Sequence, residues 1–196
     1  MMLRKLLVVA CVVSVAAVAS PAMAGCPGCD KVAKNGDGFC CGKGLAFGVK
    51  VASQKLFEAL TGKSVETSKT QCPGCKSAAK SNGSCCGKSF VNGKAYASPV
   101  AYALAKGKPV TAEKAGKCKG CKEAFASNGF CKGCKGGIVA HRFYGGQDNY
   151  KAALAAHKTL VKAAGAKCEA CAVAMVKDGK CEHCNVSFKE GKPIKG

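Results

Sequence analysis

Residues 118–134 read CKGCKEAFASNGFCKGC, and this stretch decides the fold because it contains two closely spaced pairs of cysteines. Each pair has the spacing C-x2-C, and nine residues separate the two pairs. Two such pairs supply the four sulfur atoms that complete the tetrahedral coordination shell of a metal ion. The spacing therefore predicts that Cys118, Cys121, Cys131 and Cys134 bind one ion.

A group of four cysteines occurs four times along the chain. The groups begin at Cys26, Cys72, Cys118 and Cys168, which are 46, 46 and 50 residues apart. The predicted ligands of the other three groups are Cys26, Cys29, Cys40 and Cys41; Cys72, Cys75, Cys85 and Cys86; and Cys168, Cys171, Cys181 and Cys184. Such a repeat indicates one structural unit used four times. We predict units at residues 25–70, 71–116, 117–166 and 167–196.

An Asn-Gly or Asp-Gly step stands before the third cysteine of every group. The steps are Asp37-Gly38, Asn82-Gly83, Asn128-Gly129 and Asp178-Gly179. These pairs accept positive φ and favour tight hairpin turns. The pattern predicts a first cysteine knuckle, a turn that reverses the chain, and a second knuckle beside the first.

Helices are predicted between the cysteine groups. Ser98 is a good N-cap with Pro99 at the first helical position of a predicted helix in the second unit. A shorter, equivalent helix is predicted in the first unit from Ser53 to Leu60. The longest helix is predicted at about 149–164, within the third unit. Its apolar face is predicted to contain Tyr150, Ala153, Leu154, His157, Leu160, Val161 and Ala164. The segments 62–71 and 107–117 are predicted linkers.

The knuckles resemble the short zinc-ribbon module, which often occurs in tandem as double zinc ribbons. The residues that carry this resemblance are Cys26-Pro27-Gly28-Cys29, Cys72-Pro73-Gly74-Cys75, and the aromatic residues Phe39 and Phe130. The resemblance implies up to four structural zinc ions and a role in macromolecular contacts. The predicted fold class is a small metal-stapled α+β fold, with four tandem zinc-ribbon-like repeats joined by short helices.

Each unit is predicted to depend on its own metal ion, because about 46 residues with one short helix bury too little apolar surface to fold alone. The adjacent cysteines Cys40-Cys41 and Cys85-Cys86 depart from the ribbon pattern. Adjacent cysteines are typical of disulfide frameworks and thiolate clusters. Zinc is therefore less strongly indicated in the first two units than in the last two.

The first 24 residues have the pattern of a signal peptide. Arg4 and Lys5 precede an uncharged stretch from Leu6 to Ala19, and Ala22-Met23-Ala24 fits a cleavage site. The mature chain is then secreted or periplasmic, without a transmembrane span. Alternatively, residues 23–26 resemble a lipobox, and a lipid anchor at Cys26 would remove that residue from its group. In an oxidising compartment, eight disulfides are the alternative to zinc, and the sequence leaves both open.

The charge distribution narrows the range of partners. The chain has 31 basic and 11 acidic residues, a formal charge of +20, but only two arginines (Arg4 and Arg142) and no tryptophan. Sequence-specific binding of nucleic acid is not expected, because arginine and aromatic side chains usually read bases. The lysines predict attraction to an anionic macromolecule or envelope surface.

The sequence contains no arrangement of residues typical of an enzyme. There is no Ser-His-Asp set, paired-carboxylate site or phosphate-binding loop. We therefore predict an exported, non-enzymatic zinc-binding repeat protein that acts as a binding or scaffold module of the cell envelope. The alternatives are a disulfide-stabilised secreted binding protein and a thiol-rich metal-buffering or redox protein.

Overall fold

The computed structural model describes residues 26–29, 32 and 37–194. The predicted signal peptide and residues 23–25 of the predicted lipobox lie outside these residues. The helices are α1 (Gln54–Leu60), α2 (Pro73–Ser81), α3 (Pro99–Ala105), α4 (Ala112–Gly116), α5 (Lys119–Ser127), α6 (Gln147–Ala164) and α7 (Glu169–Lys177). The strands are β1 (Gly38–Cys40), β2 (Lys43–Ala46), β3 (Val49–Val51), β4 (Lys63–Ser64), β5 (Ser84–Cys85), β6 (Lys88–Val91), β7 (Lys94–Tyr96), β8 (Lys108–Pro109), β9 (Phe130–Cys131), β10 (Gly136–Val139), β11 (Arg142–Gly145), β12 (Ser187–Lys189) and β13 (Lys192–Ile194).

The strands form small antiparallel sheets, and each sheet belongs to one cysteine group. The orders are β1-β2-β3, β4-β7-β6-β5, β8-β11-β10-β9 and β12-β13. We call each sheet, with the knuckle and helix in front of it, a lobe. The described residues of lobe 1 are 26–29, 32 and 37–51; lobe 2 comprises residues 63–96, lobe 3 residues 108–145 and lobe 4 residues 168–194. The predicted small α+β character is confirmed at this level.

Two-residue turns close the main hairpin of every lobe. Both turn residues have positive φ in Phe47-Gly48, Asn92-Gly93, Ala140-His141 and Glu190-Gly191. Such turns match the right-handed twist of the paired strands. In lobe 2, for example, β6 and β7 pair as an antiparallel hairpin around Asn92-Gly93.

We call the segment between the first knuckle and the Asn-Gly or Asp-Gly step the arm. The hairpin turn predicted at the step is wrong in lobes 2, 3 and 4, because the arm in front of it is helical. Helices α2, α5 and α7 begin directly after Cys72, Cys118 and Cys168. Asn82, Asn128 and Asp178 of these steps do have the predicted positive φ, but they end helices. Gly83, for example, donates its N–H to the carbonyl of Ala78 at 2.9 Å, a bond typical of helix C-termini. Alanine and lysine favour the helix between knuckle and turn.

The Asn or Asp side chain of each Asn-Gly or Asp-Gly step accepts a hydrogen bond from the turn of the lobe's main hairpin. The backbone N–H of Asn92 donates to Asn82 Oδ1 at 2.8 Å, and that of Ala140 donates to Asn128 Oδ1 at the same distance. The equivalent bonds in lobes 1 and 4 join Phe47 to Asp37 and Glu190 to Asp178, both at 2.7 Å. This repeated bond holds the hairpin against the end of the arm.

One apolar cluster is shared by all four units, and we call it the central core. It contains Val51, Leu56, Leu60, Val91, Val100, Ala101, Leu104, Val139, Tyr144, Ala153, Leu160, Ala172 and Val176, among other buried residues. Helices α1, α3, α6 and α7 contribute most of it. The estimate of apolar burial made for a single unit is therefore too low, because the units also bury apolar surface against each other.

The predicted helices between the groups are confirmed as α1, α3 and α6. Ser53 and Ser98 cap α1 and α3 as expected, and Ser98 also donates to the carbonyl of Val176 at 2.6 Å. The predicted linkers are partly ordered, since they contain β4, β8 and α4. Among the described residues, no helix combines the length and apolarity needed to cross a bilayer.

Candidate metal centres

The structure brings each predicted cysteine group together. The four Sγ atoms of a group all lie within 4.8 Å of one another. The groups are Cys26, Cys29, Cys40 and Cys41; Cys72, Cys75, Cys85 and Cys86; Cys118, Cys121, Cys131 and Cys134; and Cys168, Cys171, Cys181 and Cys184. All sixteen of these cysteines carry free thiols. Each group therefore offers four sulfur ligands to one ion.

The distances between sulfur atoms fit a tetrahedral site. A tetrahedron with metal–sulfur bonds of about 2.3 Å has edges of about 3.8 Å. Cys72 Sγ lies 3.8 Å from both Cys85 Sγ and Cys86 Sγ, and the latter two are 3.7 Å apart. The pair Cys168–Cys181 is also 3.8 Å apart. Even the closer pair Cys26–Cys40, at 3.2 Å, is well beyond the disulfide bond length of about 2.05 Å.

Helix starts position the first two cysteines of lobes 2, 3 and 4. The first cysteine is the N-cap residue, and the second lies in the first turn, so both cysteines lie at the N-terminus of the helix. In lobe 4 the N–H of Cys171 donates to Cys168 Sγ at 3.4 Å. The same bond joins Cys29 to Cys26 in lobe 1. In Cys26 this backbone donor favours the thiolate form that binds metal.

Lobes 1 and 2 place their adjacent cysteines on a tight turn. Cys40 and Cys85 end a strand, and Cys41 and Cys86 follow with φ of 53°. Gly42 and Gly87 complete these turns, also with positive φ. The turn directs both thiols to the same side, and Cys40 Sγ and Cys41 Sγ are 3.6 Å apart. Adjacent cysteines therefore complete the same four-sulfur geometry as the C-x2-C knuckles of lobes 3 and 4.

Small residues in the first knuckle leave room for the third cysteine. A Cβ atom at Gly74 would lie 2.8 Å from Cys85 Sγ, and one at Gly120 would lie 2.8 Å from Cys131 Sγ. A Cβ atom at Gly28 would lie 2.6 Å from Cys40 Sγ. In these three lobes the glycine allows the helix start to approach the second knuckle closely. Lobe 4 has Ala170 at the equivalent position.

In lobes 1 and 2 the first cysteine is the most acidic thiol with a resolved shift. The thiol of Cys40, followed by the N–H of Cys29, lowers the pKa of Cys26 to about 6. The N–H of Cys75 is the main cause that lowers the pKa of Cys72 to about 7. Burial raises the pKa of Cys75 to about 12. One thiolate is thus present near neutral pH, and binding of an ion must release protons from its neighbours.

Lobes 3 and 4 each have one comparable thiol. The N–H of Cys121 is the main cause that lowers the pKa of Cys118 to about 7. In lobe 4 the third cysteine takes this role, because the N–H of Cys184 lowers the pKa of Cys181 to about 7. Each lobe therefore has a thiolate that can act as the first ligand.

A lysine-rich groove was not found by sequence reasoning. It lies between α1, the sheet of lobe 2 and α7, with a volume of about 1140 Å³. Its lining includes Lys55, Lys63, Lys69, Lys88, Lys177 and Lys180, together with four glutamates. Lys55 pairs with Glu169 at 3.5 Å and Lys69 with Glu66 at 2.6 Å. The groove joins residues from three units, so no local sequence pattern could predict it.

The histidines do not join the cysteine groups in the described part of the chain. His157 is half-buried on α6, and burial lowers its pKa. His141 stacks on Phe125, with ring centroids 4.6 Å apart, and His183 lines the groove. The metal ligands offered by the groups are thus all sulfur atoms.

Comparison with known proteins places the chain in no family: no protein-family model, curated protein or solved structure matches it. The fold and the sites nevertheless define a class. The described residues form a small α+β protein with small antiparallel sheets and four four-cysteine groups, each positioned to hold a metal ion.

Proposed function

We propose that this chain is an exported, non-enzymatic protein in which up to four structural zinc ions hold zinc-ribbon-like lobes around a common core. The observation that carries the proposal is the convergence of four thiols within 4.8 Å in every group. Tetrahedral sites made of four sulfur atoms are typical of zinc or iron, and structural zinc sites are closed in this way. The four cysteines of a group would hold one ion. The ion would cross-link the start of the helix to the hairpin of the same lobe.

The binding role rests on the lysine-rich groove. Among the described residues, Lys63, Lys88, Lys177 and Lys180 form no ion pair, so their charges are free to attract an anionic partner. The partner is an anionic macromolecule or envelope surface. Such attraction weakens as salt is added, because exposed charges are screened.

The metal is tested on protein recovered from its native compartment. Metal analysis is expected to find about four zinc ions per chain, and thiol titration to find few accessible thiols until a chelator is added. The opposite result is protein without metal and with all sixteen cysteines of the groups in disulfides.

Intact mass tests the export proposal, since a chain that begins at Gly25 supports secretion and an acylated Cys26 supports the lipid anchor.

The groove is tested by sedimentation with vesicles that contain an anionic phospholipid. Lys88→Gln combined with Lys180→Gln is expected to reduce binding severalfold at low salt. The matched control, Lys151→Gln with Lys158→Gln, removes the same charge from the exposed side of α6 and is expected to have a smaller effect. Equal losses in both variants would contradict a role for the groove.

A redox function is the second candidate, and the thiol of Cys26 favours it. Its pKa is lowered to about 6 and it opens a Cys-Pro-Gly-Cys sequence, features of reactive thiols. The assay is catalysis of insulin reduction by the metal-free protein. Turnover that is lost in Cys26→Ser supports this function, and inactivity contradicts it.

A further inference from the structure

Lobes 1 and 2 expose more of the second cysteine pair of their groups than lobes 3 and 4 do. The fourth cysteine is exposed in every lobe, as Cys41, Cys86, Cys134 and Cys184. The third cysteine differs. Cys40 and Cys85 are partly exposed, whereas Cys131 and Cys181 are 3% and 0% exposed. The two kinds of lobe thus differ in how many ligands of the second pair an incoming molecule can reach. Over the whole group only lobe 3 buries two cysteines, because Cys171 of lobe 4 is partly exposed.

The packing around the third cysteine explains this difference. Cys131 lies in a small cluster with Ala115, Ala124 and Ile138, and Ala115 belongs to α4, a helix in front of the first knuckle of lobe 3. Cys181 packs with Ala174 and Phe188 in lobe 4. Buried ligands are shielded both from solvent and from competing ligands.

In lobes 1 and 2 the third and fourth cysteines are both accessible and are adjacent on the tight turn between β1 and β2 or between β5 and β6. The turn is open: a Cβ atom at Gly42 or Gly87 would have no neighbouring atom within 4 Å. One molecule that carries two thiols can therefore approach both ligands from the same side. At the second pair of lobes 3 and 4 it meets one exposed ligand and one buried ligand.

We infer that lobes 1 and 2 are metal-transfer sites for acceptors with two thiols, while lobes 3 and 4 retain their ions. This inference rests on the proposed binding of metal at all four groups. In the first step the bond between the ion and Cys41 or Cys86 breaks as a bond to an acceptor sulfur forms. The acceptor's proton passes to the released thiolate. The second acceptor thiol then replaces Cys40 or Cys85 in the same way, and the ion keeps its oxidation state.

The test uses the full mature chain loaded with zinc, and dithiothreitol as the acceptor. Native mass spectrometry follows the loss of ions, and a pulse of N-ethylmaleimide followed by peptide mapping identifies the cysteines released. Two ions are expected to leave at least about tenfold faster than the other two, since reaction follows access to the thiolate. Cys40, Cys41, Cys85 and Cys86 are expected to be labelled first. 2-Mercaptoethanol, at the same thiol concentration, is expected to be slower.

A matched pair of variants sharpens the test. Cys86→Ser and Cys134→Ser each remove the exposed fourth ligand, from lobe 2 and lobe 3 respectively. Dithiothreitol is expected to empty lobe 2 of the first variant rapidly, whereas lobe 3 of the second retains its ion longer because Cys131 is buried. Loss of all four ions in one phase, or faster loss from lobes 3 and 4, overturns the inference. A chain that binds no ion at the outset contradicts the proposed function itself.

Discussion

The central core and lobe 3 are filled by different kinds of side chain. Leu56, Leu104 and Leu160 of the core are each no more than 1% exposed, and many smaller apolar residues surround them. The buried cluster of lobe 3 contains one large aliphatic residue, Ile138, together with two alanines and two cysteines. Burial of large apolar side chains stabilises a core without metal, whereas so small a cluster does not stabilise a lobe. Hydrophobic burial therefore stabilises the core, whereas the lobes depend on the proposed metal ions.

The largest effect is expected when one lobe loses its metal site. Cys121→Ser removes a buried ligand from lobe 3, and the binding of structural zinc is typically worth about 10–16 kcal/mol in small domains. We expect the zinc content to fall from four ions to three and lobe 3 to become sensitive to protease, while α3 stays protected. Native mass spectrometry and hydrogen exchange measure both quantities.

The exposed neighbour Lys122 provides the control, since Lys122→Ser changes the same helix without removing a ligand. Retention of four ions and full protection of lobe 3 in Cys121→Ser would show that this cysteine is not a ligand. Loss of protection throughout the molecule would show that core and lobes are not held separately.

A substitution in the central core is expected to affect every unit. Leu104→Ala removes a fully buried side chain from α3 and should lower the free energy of unfolding by about 2–5 kcal/mol. Zinc content should remain at four ions. Denaturant unfolding of the zinc-loaded protein measures the change, with Val161→Ala as control because Val161 is 49% exposed on α6. Equal effects of the two variants would contradict the description of the core.

A smaller effect is expected at the junction between the second and fourth units. Ser98→Ala removes both the N-cap of α3 and the bond to the carbonyl of Val176, which is left buried. The expected loss is about 1–3 kcal/mol. Thr111→Ala removes only the exposed cap of α4 and should cost less, about 0.5–1 kcal/mol. Thermal unfolding compares the stability of the two variants. A larger loss for Thr111→Ala would show that Ser98 does not stabilise the junction.

The smallest effect is expected at the knuckle glycines. Gly74→Ala places a Cβ atom against Cys85 Sγ, and the shift needed should weaken the zinc affinity of lobe 2 by about 1 kcal/mol. The opposite change in lobe 4, Ala170→Gly, should not weaken binding there, because it only removes a methyl group. Competition with a zinc chelator measures both affinities. An unchanged affinity in Gly74→Ala would show that the close approach is not required.

The sites could be predicted from sequence because covalent spacing determines them. Four cysteines separated by fixed short segments can converge in few ways, and Ser98-Pro99 marks a helix start in any context. The helical arm was missed because Asn-Gly ends helices as readily as it closes hairpins. The residues in front of Asn82 decide between these two structures, and they favour a helix.

The core could not be predicted because it joins residues from distant units. Ser98 contacts Val176, which lies in the fourth unit. The buried face of α6 was predicted only in part, since Ala153 and Leu160 are buried whereas Val161 is exposed. Helical periodicity defines a face only to within about one residue, and contacts with α3 and α7 select the side that is buried.

X-ray absorption at the zinc edge, together with a count of ions per chain, tests the central claim most directly. The sample is the mature protein purified without added metal or chelator. The account predicts about four ions per chain, each with four sulfur ligands at about 2.3 Å. Zinc bound mainly through oxygen or nitrogen, or a chain that retains its fold with no bound ion, would contradict it.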